Sequence, residues 1–260
     1  MIAVGSGKGG VGKSTVSLNV SLALAERGLR VGLLDADLYG PNIPIMVGLT
    51  KHRWTEMWTL ARSRERRVRY APVERHGLKI ASAGFILGED QPLGVEATTA
   101  QTMVRQLVDE VAWGELDFLV VDLPPGTADI QQVLLKVVPL TGALIVATPQ
   151  YVAHLDARKA VRMYQQRSVP VLGWIENMAP MRCPQCGMPV EVFPPVPEAR
   201  SLVALGVERL GSIPFDPALG RAGDTGHVLV GEGRDGQVAV AFRALAERLV
   251  SRLGWWRQPS

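Results

Sequence analysis

The stretch GSGKGGVGKST, Gly5 to Thr15, decides the fold. Gly7, Gly12, Lys13 and Ser14 satisfy the spacing G-x-x-x-x-G-K-[ST] of a phosphate-cradling loop. Glycines at 7, 9, 10 and 12 let backbone N–H groups turn inward around phosphate oxygens. A helix starting at Lys13 points the positive end of its dipole at the same place. Lys13 is then positioned to neutralise β- and γ-phosphates and Ser14 to ligate Mg²⁺, with Val11 and Thr15 completing the loop. An apolar strand, Met1 to Val4, precedes it. Lys8 is a second lysine near the front of the loop, one more than phosphate binding requires.

Outward from that loop, the pattern repeats. The helix from Lys13 to Arg27 carries Val16, Val20, Ala23 and Leu24 on one face, and Gly28 is suited to end it. LRVGLLDAD (29–37), LDFLVVDLPPG (116–126), TGALIVATPQ (141–150) and VPVLGWIEN (169–177) are further apolar strands. Helices are expected over 99–112, 129–138, 153–166, 198–205 and 234–253. Apolar strands alternating with amphipathic helices predict an α/β fold, a mostly parallel sheet covered on both faces. Residues 51–90 break the rhythm. VRYAPV and LKIASA, with His76-Gly77 between them, read as a small hairpin at the sheet edge. No repeat or linker divides the 260 residues, so one domain is expected.

Composition narrows the function. Apolar residues make up 47% of the chain, and the formal charge of +3 is too mild to argue for nucleic-acid binding. The densest basic run, RSRERRVR (62–69), reads as a solvated face. No apolar run is long enough to span a bilayer and nothing reads as a leader peptide, so a cytoplasmic protein without stable membrane insertion is expected.

Three carboxylates are candidates for work on a phosphate. Asp122 ends an apolar strand, where a Mg²⁺-organising group belongs in such a fold. Asp35 and Asp37 close the second strand together, and two carboxylates beside a Mg-nucleotide can divide labour, one holding metal-bound water and one orienting the attacking water.

KGGVGKS with Lys8 resembles the deviant phosphate loop of the MinD-like ATPases. DADLYGPNIPIMVG, VVDLPPGTADIQ, ATPQYVAHLDARKA, IENMAPMRCPQCG and GSIPFDP together resemble the Mrp-type iron–sulfur cluster carriers within that group, over nearly the whole chain. The resemblance implies ATP as the nucleotide, Asp35 and Asp122 on magnesium-shell positions, and Asp37 on the hydrolytic position. It implies that Asn177 reads the adenine base, with Pro214 packing nearby, and that Asp129 and Gln150 belong to a switch sensing the γ-phosphate. It also implies that Lys8 crosses a homodimer interface to the other subunit's nucleotide. A cation arriving at the γ-phosphate would stabilise charge as the phosphoryl group leaves.

The two cysteines, Cys183 and Cys186, lie in a loop of about 178–197, whose prolines argue against regular structure. Tetrahedral zinc or a cubane cluster usually takes four protein ligands, and this chain has only two thiols. Three readings suit the pair: a 4Fe-4S cluster bridging two copies of the chain, zinc in that site or completed by a histidine, and a redox disulfide or idle pair. The first makes the protein an ATP-hydrolysing carrier that passes its cluster to apo-proteins. The alternative is a positioning ATPase of the MinD or ParA kind, acting by binding a membrane or DNA. For that, the basic amphipathic stretch Val238–Leu253 with Trp255 and Trp256 would lie on a membrane. Two places depart from the family pattern. QPLGVEATTAQ stands where relatives often carry a W-R-G-P-type stretch, and residues 51–70 set Trp54 and Trp58 among arginines.

Overall fold

In the computed structural model of the chain, residues 1–49, 61–62, 68–85, 96–126, 129–136, 138–183, 185–231 and 236–254 are described. The strands are β1 (Ile2–Ser6), β2 (Val31–Asp35), β3 (Ala61–Arg62), β4 (Val68–Arg69), β5 (Val73–Arg75), β6 (Leu78–Ser82), β7 (Phe118–Asp122), β8 (Gly142–Ala147), β9 (Val171–Ala179), β10 (Met181–Arg182), β11 (Pro189–Val190) and β12 (Arg209–Pro214). The helices are α1 (Lys13–Glu26), α2 (Ile43–Met46), α3 (Ala97–Asp109), α4 (Asp129–Leu134), α5 (Tyr151–Gln166), α6 (Pro217–Thr225) and α7 (Gln237–Arg252).

Eight strands form one sheet in the order β12-β9-β8-β1-β7-β2-β6-β5, parallel throughout except at the β5–β6 edge. That edge is the expected hairpin. His76 and Gly77 both adopt left-handed backbone (φ 50° and 73°), as a two-residue turn matching the sheet's twist requires.

Alternation along the strands divides the core in two. Leu33, Val120, Leu144 and Ile175 face one side with α1 and α7; Leu34, Val121, Ile145 and Trp174 face the other with α3 and α5. Helix α1 departs from the expected one-sided pattern. All of its residues from Val16 to Leu24 are buried, because α7 covers the side turned away from the sheet. The apolar face of α7, with Val238, Phe242, Leu245 and Leu249 at most 2% exposed, is spent on this contact and on β12. Trp255 and Trp256 lie outside the described residues, as do Trp54 and Trp58 and residues 91–95 of the QPLGVEATTAQ segment. Among the described residues, no helix is long and apolar enough to cross a membrane.

Two expectations need correction. Residues 198–205 form two short 3-10 turns instead of a continuous helix. Part of the cysteine loop is regular: β10 and β11 pair antiparallel over two residues each and make a short ribbon there. Its prolines are compatible with this because a two-stranded ribbon is all edge, and only one side of each strand needs to bond.

The chain passes β8 to the far side of β1 from β7, so the direction of winding reverses at β1. The crevice beyond such a reversal is where open parallel sheets gather ligands. The loop Gly5–Thr15 leaves β1 at that point. Asp35 and Asp122 are register partners across β2 and β7, which brings both carboxylates to the same edge.

Candidate functional site

At the strand ends lies a cavity of about 420 Å³, lined by Lys8, Gly9, Gly10, Gly12, Lys13, Ser14 and Thr15 of the loop and by Asp37. Its outer wall is made by α2 and α6, with Ile45, Met46, Leu219 and Gly223. The contacts that matter most there are electrostatic. Lys13 is 6% exposed, and its Nζ donates to Asp122 Oδ1 (2.8 Å) and Ser14 Oγ (3.2 Å), with Asp37 Oδ2 at 3.7 Å. Ser17 Oγ donates to the same Asp122 oxygen at 2.8 Å. Asp122 Oδ2 is sealed from solvent with no hydrogen-bond partner among the described residues, an acceptor left over where a metal-bound water would donate.

Asp35 is fully buried and does not line the cavity. Its Oδ2 takes the Ser82 hydroxyl (2.9 Å) and the Ile43 N–H (3.3 Å), and its Oδ1 takes the Asp37 N–H (3.2 Å). Burial, reinforced by the neighbouring Asp122 charge, pushes its carboxyl up to about 8. Burial also raises Asp37, against the pull of Lys13. Three carboxylates and one lysine in so small a volume cannot all ionise comfortably, and a divalent cation would relieve the crowding.

Two glycines of the loop are there for space. A Cβ on Gly7 would lie 2.0 Å from the Asp156 carbonyl carbon of α5. Gly12 has φ 83°, and its Cβ would lie 2.2 Å from Asn177 Nδ2, which donates to Val11 O at 2.8 Å. Gly9, by contrast, faces open space with an ordinary φ. Gly7→Ala should therefore lower the melting temperature by roughly 5 °C or more, while Gly9→Ala leaves it within about 1 °C. Paired thermal melts of the two variants test this; equal melting temperatures would refute the close-packing argument.

Asn177 and Pro214 meet in a smaller cavity of about 160 Å³ that shares Gly12, Thr15, Leu219 and Gly220 with the first. Lys8 Nζ donates to Gln150 Oε1 of its own chain at 3.4 Å, and Gln150 is the N-cap residue of α5. Asp129 opens α4; its side chain lies outside what is described.

The cysteines occupy the tip of the β10–β11 ribbon. Cys183 N donates to Met188 O and Gly187 N to Cys183 O, both at 2.8 Å, closing the turn. The backbone N–H groups of Cys186 and Gln185, and then the Cys186 thiol, hydrogen-bond the Cys183 sulfur and lower its pKa. Cys186 is exposed. Among the described residues, no cluster of three or more His, Cys, Asp or Glu could hold a metal, so nothing described in one copy completes the pair's coordination.

A family model described as ParA, NUBPL iron-transfer P-loop NTPase, matches residues 1–250. The chain belongs to this family. It is 45% identical over 250 residues to an iron-sulfur cluster carrier protein of Aquifex aeolicus, covering 96% of this chain and 66% of that one. It is 38% identical over 255 residues to the carrier of Escherichia coli K12, covering 98% and 67%. The chain thus spans about two thirds of the length of these relatives. Among solved structures, a nucleotide-binding protein of Archaeoglobus fulgidus in complex with ADP superposes with TM-score 0.74 and 37% identity, covering 89% and 87% of the two chains. The MinD cell division ATPase of Pyrococcus furiosus, at 23% identity and TM-score 0.70 with 96% and 98% covered, shares the fold.

The part of this NTPase's cavity that the sequence reading missed is the α2–α6 wall. The signal for α6 was present: Asp216 caps it through the Ala218 N–H (2.8 Å), Pro217 starts it and left-handed Gly226 ends it. Helix α2 has only 4 residues and offers no periodicity to detect.

Proposed function

We propose that this chain is an ATP-binding and ATP-hydrolysing iron–sulfur cluster carrier. Its cargo, a 4Fe-4S cluster, is held by Cys183 and Cys186 from each of two copies and passed to apo-proteins. The observation that carries the proposal is a ribbon presenting two hydrogen-bonded thiols, with no further ligand set among the described residues, on a member of an iron-transfer NTPase family. A two-fold axis is the simplest way to supply the missing two donors. Zinc in the same shared site is the competing occupant.

In the nucleotide cavity, the N–H groups of Gly7 to Thr15 bind phosphate oxygens, and Lys13 neutralises the β- and γ-phosphates. Ser14 and, through a water, the spare Asp122 oxygen would hold Mg²⁺, which when bound would neutralise phosphate charge. Asp35 orients the Asp37 N–H and so the carboxylate that aligns the attacking water. Asn177 and Pro214 take the base. Lys8, resting on Gln150 in a single copy, swings across the dimer to the partner's γ-phosphate, and hydrolysis is slow because it waits on that pairing. The burial of the apolar face of α7 weighs against the membrane-binding form of the positioning-ATPase alternative, which needs that face.

Anaerobic reconstitution with iron and sulfide, followed by metal and sulfide analysis and mass measurement in solution, tests the proposal. One four-iron cluster per pair of chains is expected, in a species of dimer mass. A chain that stays monomeric with ATP and cluster components present would contradict it.

A further inference from the structure

Met178 has the left-handed backbone of a turn (φ 57°) although it lies inside a strand. Of the three described non-glycine residues with positive φ, His76 and Ser168 lie in turns. Met178 is instead the extra residue of a bulge. Asn177 pairs with Ile213 and Ala179 with Pro214, so nothing on β12 faces Met178. Regular pairing resumes at once, with Phe215 N donating to Ala179 O at 2.9 Å.

The bulge changes which way two side chains point. Ile175 belongs to the core on the α1 side of the sheet, and Asn177, two residues on, faces the same side. Strict alternation would turn Met178 to the opposite, α5 side. Instead its methyl carbon lies 4.0 Å from the Cβ position of Gly12, on the α1 side with Asn177. Both line the smaller cavity beside the phosphate loop. Asn177 commits its Nδ2 to Val11 O, its one side-chain hydrogen bond among the described residues, which leaves Oδ1 as an acceptor. The pocket therefore offers a carboxamide with its acceptor available, beside a thioether and Pro214.

We propose that the left-handed bulge at Met178 makes this pocket selective for a 6-aminopurine nucleotide over a 6-oxopurine one, by fixing Asn177 with its acceptor toward the base. An amino group at C6 donates to Oδ1; a C6 carbonyl presents a second acceptor and leaves both unpaired. Met178 is a positioning residue here, and the inference rests on the nucleotide-binding reading above.

Affinities of the full chain for ATP and for inosine triphosphate, measured by titration calorimetry, test it through substitutions that separate backbone tolerance from apolar character. The unaltered chain should prefer ATP by at least about tenfold. Met178→Asn and Met178→Gly tolerate left-handed backbone; both should bind more weakly yet keep that preference. Met178→Ile keeps the apolar bulk but resists the conformation, and its preference should fall by about tenfold. If the isoleucine variant does not fold, Met178→Ala is read in its place, with a smaller fall in the same direction. A merely structural role would weaken both nucleotides equally and leave the ratio alone. Retention of the preference by the isoleucine or alanine variant, or its loss in the asparagine variant, would overturn the proposal. An unaltered chain that binds both nucleotides without preference overturns this inference only; one that binds neither overturns the nucleotide reading with it.

Discussion

Lys13→Ala is expected to lower affinity for ATP by on the order of a hundredfold, because a charge-assisted hydrogen bond to phosphate is worth about 1.5–3 kcal/mol and its loss also unbalances the cavity. Lys13 Nζ is the one described cation among Asp37 and Asp122, with Asp35 behind them. Without it, an incoming polyphosphate meets a buried acidic cluster, so the penalty adds to the lost contact. Removing one partner of a buried ion pair ordinarily destabilises the fold as well, by about 3–5 kcal/mol, but here the crowded carboxylates can take up a proton and soften that loss. The expected result is therefore a folded chain, by circular dichroism, that no longer binds ATP at concentrations saturating the unaltered protein. Undiminished affinity in the folded variant would show that the Gly5–Thr15 loop is not the phosphate site.

How much of this was readable beforehand depends on how local each signal is. The phosphate loop declares itself because its glycines, lysine and serine act within one turn of chain. The parallel sheet follows from apolar runs that can only be buried on both faces. Asp122 and Asp35 were legible as strand ends, but their pairing across β2 and β7 depends on strand order, which no local pattern carries. The same is true of Asn177. Its bond to Val11 spans 166 residues, and only the packed fold shows that the base pocket and the phosphate loop are tied by one carboxamide. The cysteine ribbon is hidden for the opposite reason: its prolines read as breakers, whereas β10 and β11 pair over only two residues each and tolerate them. Helix α6 was overlooked although its caps were written in the sequence, since its 9 residues include two glycines and little apolar periodicity.

Cys183→Ala and Cys186→Ala are each expected to abolish retention of the cluster while leaving ATP binding as in the unaltered chain, because the ribbon carries none of the residues that line the nucleotide cavity. Loss should be complete and not partial: three thiolates in place of four open an iron to solvent, and neither ribbon holds a spare ligand among the described residues. Mixing sharpens the test. Let the unaltered chain and the double-alanine chain be combined in equal amounts, allowed to exchange partners, and reconstituted anaerobically. If each cluster needs both ribbons, only pairs of unaltered chains retain it, and iron per total chain falls to about a quarter of the unaltered value under random pairing. If a single ribbon suffices, iron falls only to about a half, in proportion to intact chains. Iron and sulfide assays after gel filtration distinguish the two outcomes. A value of one half would overturn the shared site even with a dimer in solution, since it would mean that pairing serves the nucleotide and not the cluster. A quarter would show that the cluster is completed by a partner chain, the pairing on which the proposed trans role of Lys8 also depends.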